Sequence, residues 1–167
     1  MSKVTNHKTF KSLVLNLKRR AKWMQMNADE RLKTAATTGL HSVAMGTPAD
    51  TGLARSSWKV GINRIPDITP RKRPFFPGKN LGMDEGSNAM GSIRAGYRRL
   101  KRVKAHHTVY ILNTQPYLNS LNDSPGKSPQ NRHFIEKALD KVRRVHYSRS
   151  LLGKPVKANS FRVRSSG

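Results

Sequence analysis

Apolar residues recur three or four positions apart through the first 45 residues of the chain, which is the period of an amphipathic α-helix. Lysines and arginines occupy much of the other faces. The pattern predicts one helix over residues 10–45, about 50 Å long at 1.5 Å per residue. Gly39 and Gly46 are the predicted points of bending or termination, and Pro48 cannot continue the helix. The predicted apolar stripe comprises Leu13, Leu17, Ala21, Met24, Ala28, Leu32, Ala35 and Val43.

Two short segments further along the chain have strand patterns. Trp58, Val60 and Ile62 alternate with smaller or more polar residues, as in a strand that buries one face. Residues 108–112 carry apolar side chains on both faces. We therefore expect a central strand there, covered by a helix on one side and by a neighbour on the other.

The remainder of the chain predicts a loop, two further helices and a tail. Residues 64–86 contain four prolines, several glycines and a cluster of basic residues, which predicts an irregular basic loop. Helical spacing returns from about residue 88 to 103 and again from about 130 to 148. Residues 149–167 are basic and aperiodic, which predicts a tail that is ordered only when a partner holds it.

These elements predict a single domain of the α+β class over residues 1–148. A long N-terminal helix and a C-terminal helix pack on a small, mostly antiparallel sheet, with the long basic loop and the extended tail attached. A chain of 167 residues is long enough for one buried core. Because only 35% of it is hydrophobic, that core is expected to be small.

Two turn segments stand out between the predicted elements. Asp50 can accept a hydrogen bond from the backbone two residues on, and Gly52 can adopt the positive φ that such turns often need. We therefore interpret Asp50 as a turn-former in preference to a functional acid. The phase of Trp58 with Val60 favours core burial over a role as an interface anchor. The residues assigned to these structural turns are Thr47, Pro48, Asp50, Thr51, Gly52, Trp58, Asn113, Pro116 and Tyr117.

The charge of the chain predicts acidic partners. Thirty-three Lys and Arg against 9 Asp and Glu give a formal net charge of +24, which favours contact with nucleic acid, acidic proteins or anionic lipid. A membrane partner is not expected, because no apolar run approaches the roughly 20 residues of a spanning helix and no signal-peptide pattern opens the chain. The candidate contacts with DNA or an acidic partner are Arg71, Lys72, Arg73, Lys79, Arg98, Arg99, Lys101 and Arg102.

Groupings that suggest chemistry are incomplete. Ser56 and Ser57 with His41 and Asp50 offer a nucleophile, a base and an acid, but no nucleophile elbow or oxyanion-hole glycine run accompanies them. The pair at residues 106–107 is read as two solvated histidines, because neighbours on a strand point to opposite faces. The chain has no cysteine, which rules out disulfides and thiolate metal sites. We expect no enzymatic activity, no cofactor and no bound metal.

Segments 47–58 and 109–117 together resemble the neck, or tail-completion, proteins of long-tailed bacteriophages. In that family a long N-terminal helix leads into a TPxDTGxxRxSW-like turn and a strand, and a variable insertion, a short helix and a strand with an N-x-x-PY corner follow. This chain has those parts in that order over about residues 10–145. The likeness is looser near Leu121, Ser128 and Phe134. Asn122 and Ser124 replace the glutamate and the glycine often found there, which puts in doubt any salt bridge that the family makes.

The resemblance implies a structural virion protein. It implies a homo-oligomeric ring, in the family a hexamer, at the head–tail junction around the DNA channel. One face would dock on the connector or head-closure ring, and the other on the tail terminator or tail tube. Localisation in the virion, after synthesis in the bacterial cytoplasm, follows from the same resemblance.

The main alternative is a ribosomal-type or other RNA-binding basic protein, whose usual charge and size fit equally well. The chain lacks both an aromatic RNP-like pair and a GxxG clamp, which favours the neck protein.

Overall fold

The computed structural model describes residues 3–48, 52–76, 81–123 and 132–148. Within these ranges it is a mixed fold with a long N-terminal helix, a small antiparallel sheet and further helices, so the predicted α+β class is confirmed. The predicted tail at 149–167 lies outside the described residues. The elements are α1 Lys3–Gly46, α2 Leu53–Ser56, β1 Trp58–Ile62, α3 Leu81–Leu100, β2 Val109–Asn113, α4 Leu118–Asp123 and α5 Phe134–Ser148.

Helix α1 is longer than predicted, with 44 residues, or about 66 Å. It runs through Gly39 without interruption and ends at Gly46. The role of Gly39 is close packing, because a Cβ there would lie 3.0 Å from a methyl group of Val142 on α5. The glycine therefore lets α5 approach α1, and the helix does not terminate at this position.

The sheet has two strands among the described residues. Strands β1 and β2 are antiparallel, with Trp58 opposite Asn113 and Ile62 opposite Val109. Prediction placed the first strand correctly and the second one residue too early. In the described fold β2 has one strand neighbour, and each of its residues is half-buried. Apolar residues on both faces of a strand indicated burial but could not count its neighbours.

Helix α3 begins at Leu81, so the irregular loop predicted for 64–86 is shorter than expected. The sequence pattern did not predict the first part of this helix, because glycine lowers helix propensity and this part contains Gly82, Gly86 and Gly91. The helix ends at Leu100, three residues before the predicted end.

The last helix starts at Phe134, later than the predicted residue 130, and an asparagine from α4 caps it. The Asn122 side-chain oxygen accepts a hydrogen bond from the Ile135 N–H at 3.1 Å, and its amide donates to both carboxylate oxygens of Glu136 at 3.1 and 3.0 Å. These hydrogen bonds satisfy a backbone donor that the first turn of a helix leaves unpaired. Asn122 thus fixes α5 to α4.

The core lies where α1, α3 and β1 meet. Leu40, Val60 and Ile93 are almost fully buried. Gly96 on α3 makes this contact possible, because a Cβ there would lie 2.3 Å from the Leu40 Cδ2 and 2.9 Å from the Val60 Cγ2. Trp58 joins the same core with 6% of its surface exposed, in agreement with its strand phase.

Two glycine substitutions in α3 are expected to have opposite effects on stability. Gly96→Ala places a methyl group against Leu40 and Val60 and should lower the free energy of unfolding by about 1–3 kcal/mol. Gly86→Ala meets no atom within 4 Å and should raise it by about 0.5–1 kcal/mol through helix propensity. Denaturant unfolding followed by circular dichroism measures both. A Gly96→Ala protein as stable as Gly86→Ala would contradict this packing.

Candidate partner-binding surfaces

The first turn segment, residues 47–58, is anchored by hydrogen bonds at the end of α1. The Thr47 hydroxyl donates to the Val43 carbonyl at 2.6 Å and accepts from the Trp58 indole at 2.9 Å. Gly52 precedes α2 with φ 72°, a left-handed conformation that favours glycine. Pro48 is half-buried just before this turn, and the predicted turn residues Asp50 and Thr51 lie outside the described residues.

The second motif bonds directly to the first. The Asn113 amide donates to the Ala54 carbonyl at 2.7 Å, and its side-chain oxygen accepts from the Gln115 N–H at 3.0 Å. The Gln115 amide also donates to the Ser57 hydroxyl at 2.9 Å. Two segments more than fifty residues apart therefore form one hydrogen-bonded unit. We call this unit the corner, and it is built around Thr47, Ser57, Asn113 and Gln115. Pro116 and Tyr117 follow it at the surface.

The corner also holds the end of the basic loop. The Ser56 hydroxyl donates to the Asn88 side-chain oxygen at 2.8 Å and accepts from the Phe75 N–H at 3.0 Å. The same Asn88 oxygen accepts from the Phe76 N–H at 2.9 Å. The hydroxyls of both candidate serine nucleophiles are thus bonded within the fold, Ser57 donating to the Leu53 carbonyl.

Sequence reasoning gave no role to several residues of the corner. Arg55 is 7% exposed and donates to the Thr47 carbonyl at 2.7 Å, while the Ser92 hydroxyl donates to the Arg55 carbonyl at 2.8 Å. Asn88 and Ser92 lie four residues apart on α3, beside the buried Ala89 and Ile93. The signal available in the sequence was that these two polar residues have the same helical spacing as the buried apolar residues next to them.

The predicted histidine arrangement is wrong in its geometry. His106 and His107 lie in a turn before β2, and their ring centroids are 4.3 Å apart in an edge-to-face contact. The His107 Nδ1 accepts from the Lys104 N–H at 3.0 Å. On α1, burial of part of the imidazole and the nearby charge of Lys141 lower the pKa of His41. Among the described residues, no group of three or more potential metal ligands is present.

The basic candidates divide into structural and exposed residues. The Arg71 guanidinium stacks 3.9 Å from the Phe75 ring centroid, and Arg99 donates to the Val60 carbonyl at 2.8 Å. Lys79 lies outside the described residues. Arg99 is exposed despite its hydrogen bond, and the other exposed members are Lys72, Arg73, Arg98, Lys101 and Arg102.

The projecting half of α1, residues 10–26, presents apolar side chains to solvent. Arg31 donates to the carbonyl of His146, so the described end of α5 reaches only this level of α1. Beyond it, Phe10 is 65% exposed and Leu17 is 56% exposed, with Leu13 and Met24 on the same side. Sequence periodicity identified this stripe but could not show that its first half lacks an intramolecular cover in the described fold. Exposed contiguous apolar surface indicates an interaction site.

An apolar groove of about 610 Å³ lies between α1, β2 and α5. Leu32 and Ala36 contribute from α1, Ile111 from β2, and Leu139 and Val142 from α5. Its size and lining are typical of a binding groove. Sequence reasoning did not find it, because each residue belongs to an ordinary amphipathic pattern and only the spacing of the elements opens it.

In the described parts of the chain, no helix is both long and apolar enough to cross a membrane. Comparison of the chain with protein-family models, curated proteins and solved structures finds no match.

The side chain of Asn113 is expected to stabilise the corner. Asn113→Ala removes hydrogen bonds to the Ala54 carbonyl and the Gln115 N–H and should lower the free energy of unfolding by about 1–3 kcal/mol. Asn119→Ala, at an exposed position of α4, is the matched control and should change it by less than about 0.5 kcal/mol. Equal effects in denaturant unfolding would contradict the role of the corner.

Acid should release the Asp67 turn of the loop. Hydrogen bonds from Thr69, and then from Lys59, lower the pKa of the Asp67 carboxyl from 3.8 to about 2. Because the folded pKa lies below the unfolded value, this stabilisation is complete above about pH 4 and is lost as pH falls through 2. An NMR titration of the carboxyl should have its midpoint near 2 in the native chain and closer to 3.8 in Thr69→Val. An unchanged midpoint in that variant would contradict the assignment.

Proposed function

We propose that this chain is a subunit of the neck ring that joins a bacteriophage head to its tail. The observation that carries the proposal is the corner: the two segments that resemble the family form one hydrogen-bonded unit through Asn113, Ser57 and Gln115. In this proposal the two segments determine the shape of the subunit. The protein is accordingly a structural component of the virion, made in the host cytoplasm.

The ring is closed by a head-to-tail contact between copies. A contact that repeats around an axis joins two different surfaces of each subunit. The projecting half of α1 is one such surface, because it carries exposed apolar side chains beyond the described end of α5. A compact domain of this length is roughly 40 Å across, whereas α1 alone is about 66 Å long. The projecting half can therefore reach a neighbouring copy.

DNA in the channel can neutralise only a minority of the ring's positive charge. Six copies would carry a formal charge of about +144, six times the +24 of one chain. DNA passing through about 40 Å of channel offers only about 24 phosphate charges. Most of the charge must face acidic neighbours, counterions or solvent. The exposed Lys72, Arg73, Arg98, Lys101 and Arg102 are the described candidates for the connector, the tail terminator and, for a minority, the DNA.

Assembly state separates this function from its main alternative. Negative-stain images and native mass of the purified chain should give a closed ring, with a hexamer as the family's expectation. The exposed Arg98, Lys101 and Arg102 equally suit an RNA-binding protein. A monomer that binds RNA with a steep dependence on salt concentration would favour that alternative and contradict the ring.

Substitutions on the projecting half of α1 test the subunit contact. Leu13→Asp with Leu17→Asp should abolish the ring, because it places charge on the stripe with the larger exposed apolar area. Leu15→Asp with Met26→Asp introduces the same charge on the opposite side of the helix and should leave the ring intact. All four side chains are exposed in the subunit, so both variants should unfold within about 0.5 kcal/mol of the native chain. A ring that forms with the first variant would contradict this contact.

A further inference from the structure

Strand β2 has an outer edge whose backbone groups have no strand partner in the described fold. Hydrogen bonds of Asn63 with Thr108 and of Thr114 with Ser57 flank the ladder. The alternation of an antiparallel pair then directs the N–H and C=O groups of Tyr110 and Leu112 toward β1. Those of Val109 and Ile111 point the other way. An edge of this kind readily pairs with another strand.

The two edges of the sheet differ. The outer edge of β1 is covered by α3, where Arg99 donates to the Val60 carbonyl at 2.8 Å. The outer side of β2 borders the apolar groove, which Val109 and Ile111 line together with Leu139 of α5. An unpaired backbone edge and an apolar cavity thus lie side by side. A strand with one apolar face would pair with this edge through its backbone and fill the cavity with its apolar side chains.

The chain itself continues from this place. Helix α5 ends at Ser148, and His146 lines the groove, so the C-terminal 19 residues, 149–167, start at the groove's rim. Within them Phe161 and Val163 alternate with polar or basic residues, which is the period of a half-buried strand. Phe161 is the aromatic residue of the tail, so this segment carries the largest apolar side chain available to a half-buried strand.

The length of the connection is sufficient. The 12 residues between Ser148 and Phe161 can span up to about 40 Å. The groove extends along α5 from His146 to Ile135, which is about 16 Å of helix. Gly153 and Pro155 supply turn residues for reversing the direction of the chain.

We propose that residues 160–164 of the same chain add a third strand to the free edge of β2. Phe161 and Val163 fill the apolar groove, and Arg162 and Arg164 face solvent on the other side of the strand. The chain's own tail is favoured over a second copy, because a short tether gives a millimolar effective concentration. This inference is independent of the proposed function.

Amide hydrogen exchange in the full-length chain tests the pairing. The N–H groups of Val109 and Ile111 should exchange slowly in the native protein. Phe161→Ser with Val163→Ser should speed both by at least about tenfold, since the groove-facing contacts are lost. The amides of Tyr110 and Leu112, bonded to β1, should stay protected and report that the fold is intact.

The matched control replaces the two residues on the other face of the proposed strand. Arg162→Ser with Arg164→Ser changes the neighbouring residues and should leave the exchange of Val109 and Ile111 within about twofold of the native rate. Rapid exchange at these two amides in the native chain overturns the proposal. So does an equal effect of both double variants.

A cross-link separates the chain's own tail from that of a second copy. The chain has no cysteine, so Leu139→Cys with Val163→Cys gives a single possible intrachain disulfide under mild oxidation. Non-reducing electrophoresis should show a cross-linked monomer, with little product for the control Arg98→Cys with Val163→Cys. Covalent dimers would assign the groove to a second copy's tail and overturn the proposal, as would equal yields for the two pairs.

Discussion

The corner is the constraint on which the rest of the fold depends. Thr47 directly follows α1, Ser57 leads into β1, and Asn113 ends β2, and hydrogen bonds connect all three regions. Most of these groups are buried, where an unpaired polar atom would cost about 1–3 kcal/mol. A chain with only 35% hydrophobic residues has a small core, so directional polar bonds position its elements. Within the described residues, the Thr114 hydroxyl is the buried side-chain polar atom without a hydrogen-bond partner.

Local patterns predicted much of the fold and little of the arrangement between elements. The alternation at Trp58 and Val60 located β1 correctly, and the stripe through Leu32 and Val43 identified α1, because period alone determines which residues share a face. The start of α3 was missed because Gly82, Gly86 and Gly91 lower its helix propensity. The neighbours of β2 and the groove beside it were missed because they depend on distances between elements, which no local pattern contains.

The charge of the chain is similarly informative only when it is divided by location. Composition gives +24, but Arg99 and Arg55 are hydrogen-bonded to backbone carbonyls in the core or its edge. Arg71 stacks on Phe75. Guanidinium groups suit such structural positions because they donate several directed hydrogen bonds and stack on rings. The Lys and Arg side chains available to partners are therefore those that are not engaged in contacts of this kind. Composition alone does not distinguish the two groups.

The unbroken course of α1 through Gly39 makes the helix a lever. Its fixed part packs against α3 and α5 as far as about Arg31, and its projecting arm from Arg31 to Phe10 is about 32 Å long. A change of roughly 10° in the direction of that arm would move its tip by about 5–6 Å. Small adjustments near Arg31 therefore translate into larger displacements at the tip, which would allow one subunit to accommodate neighbours at different spacings.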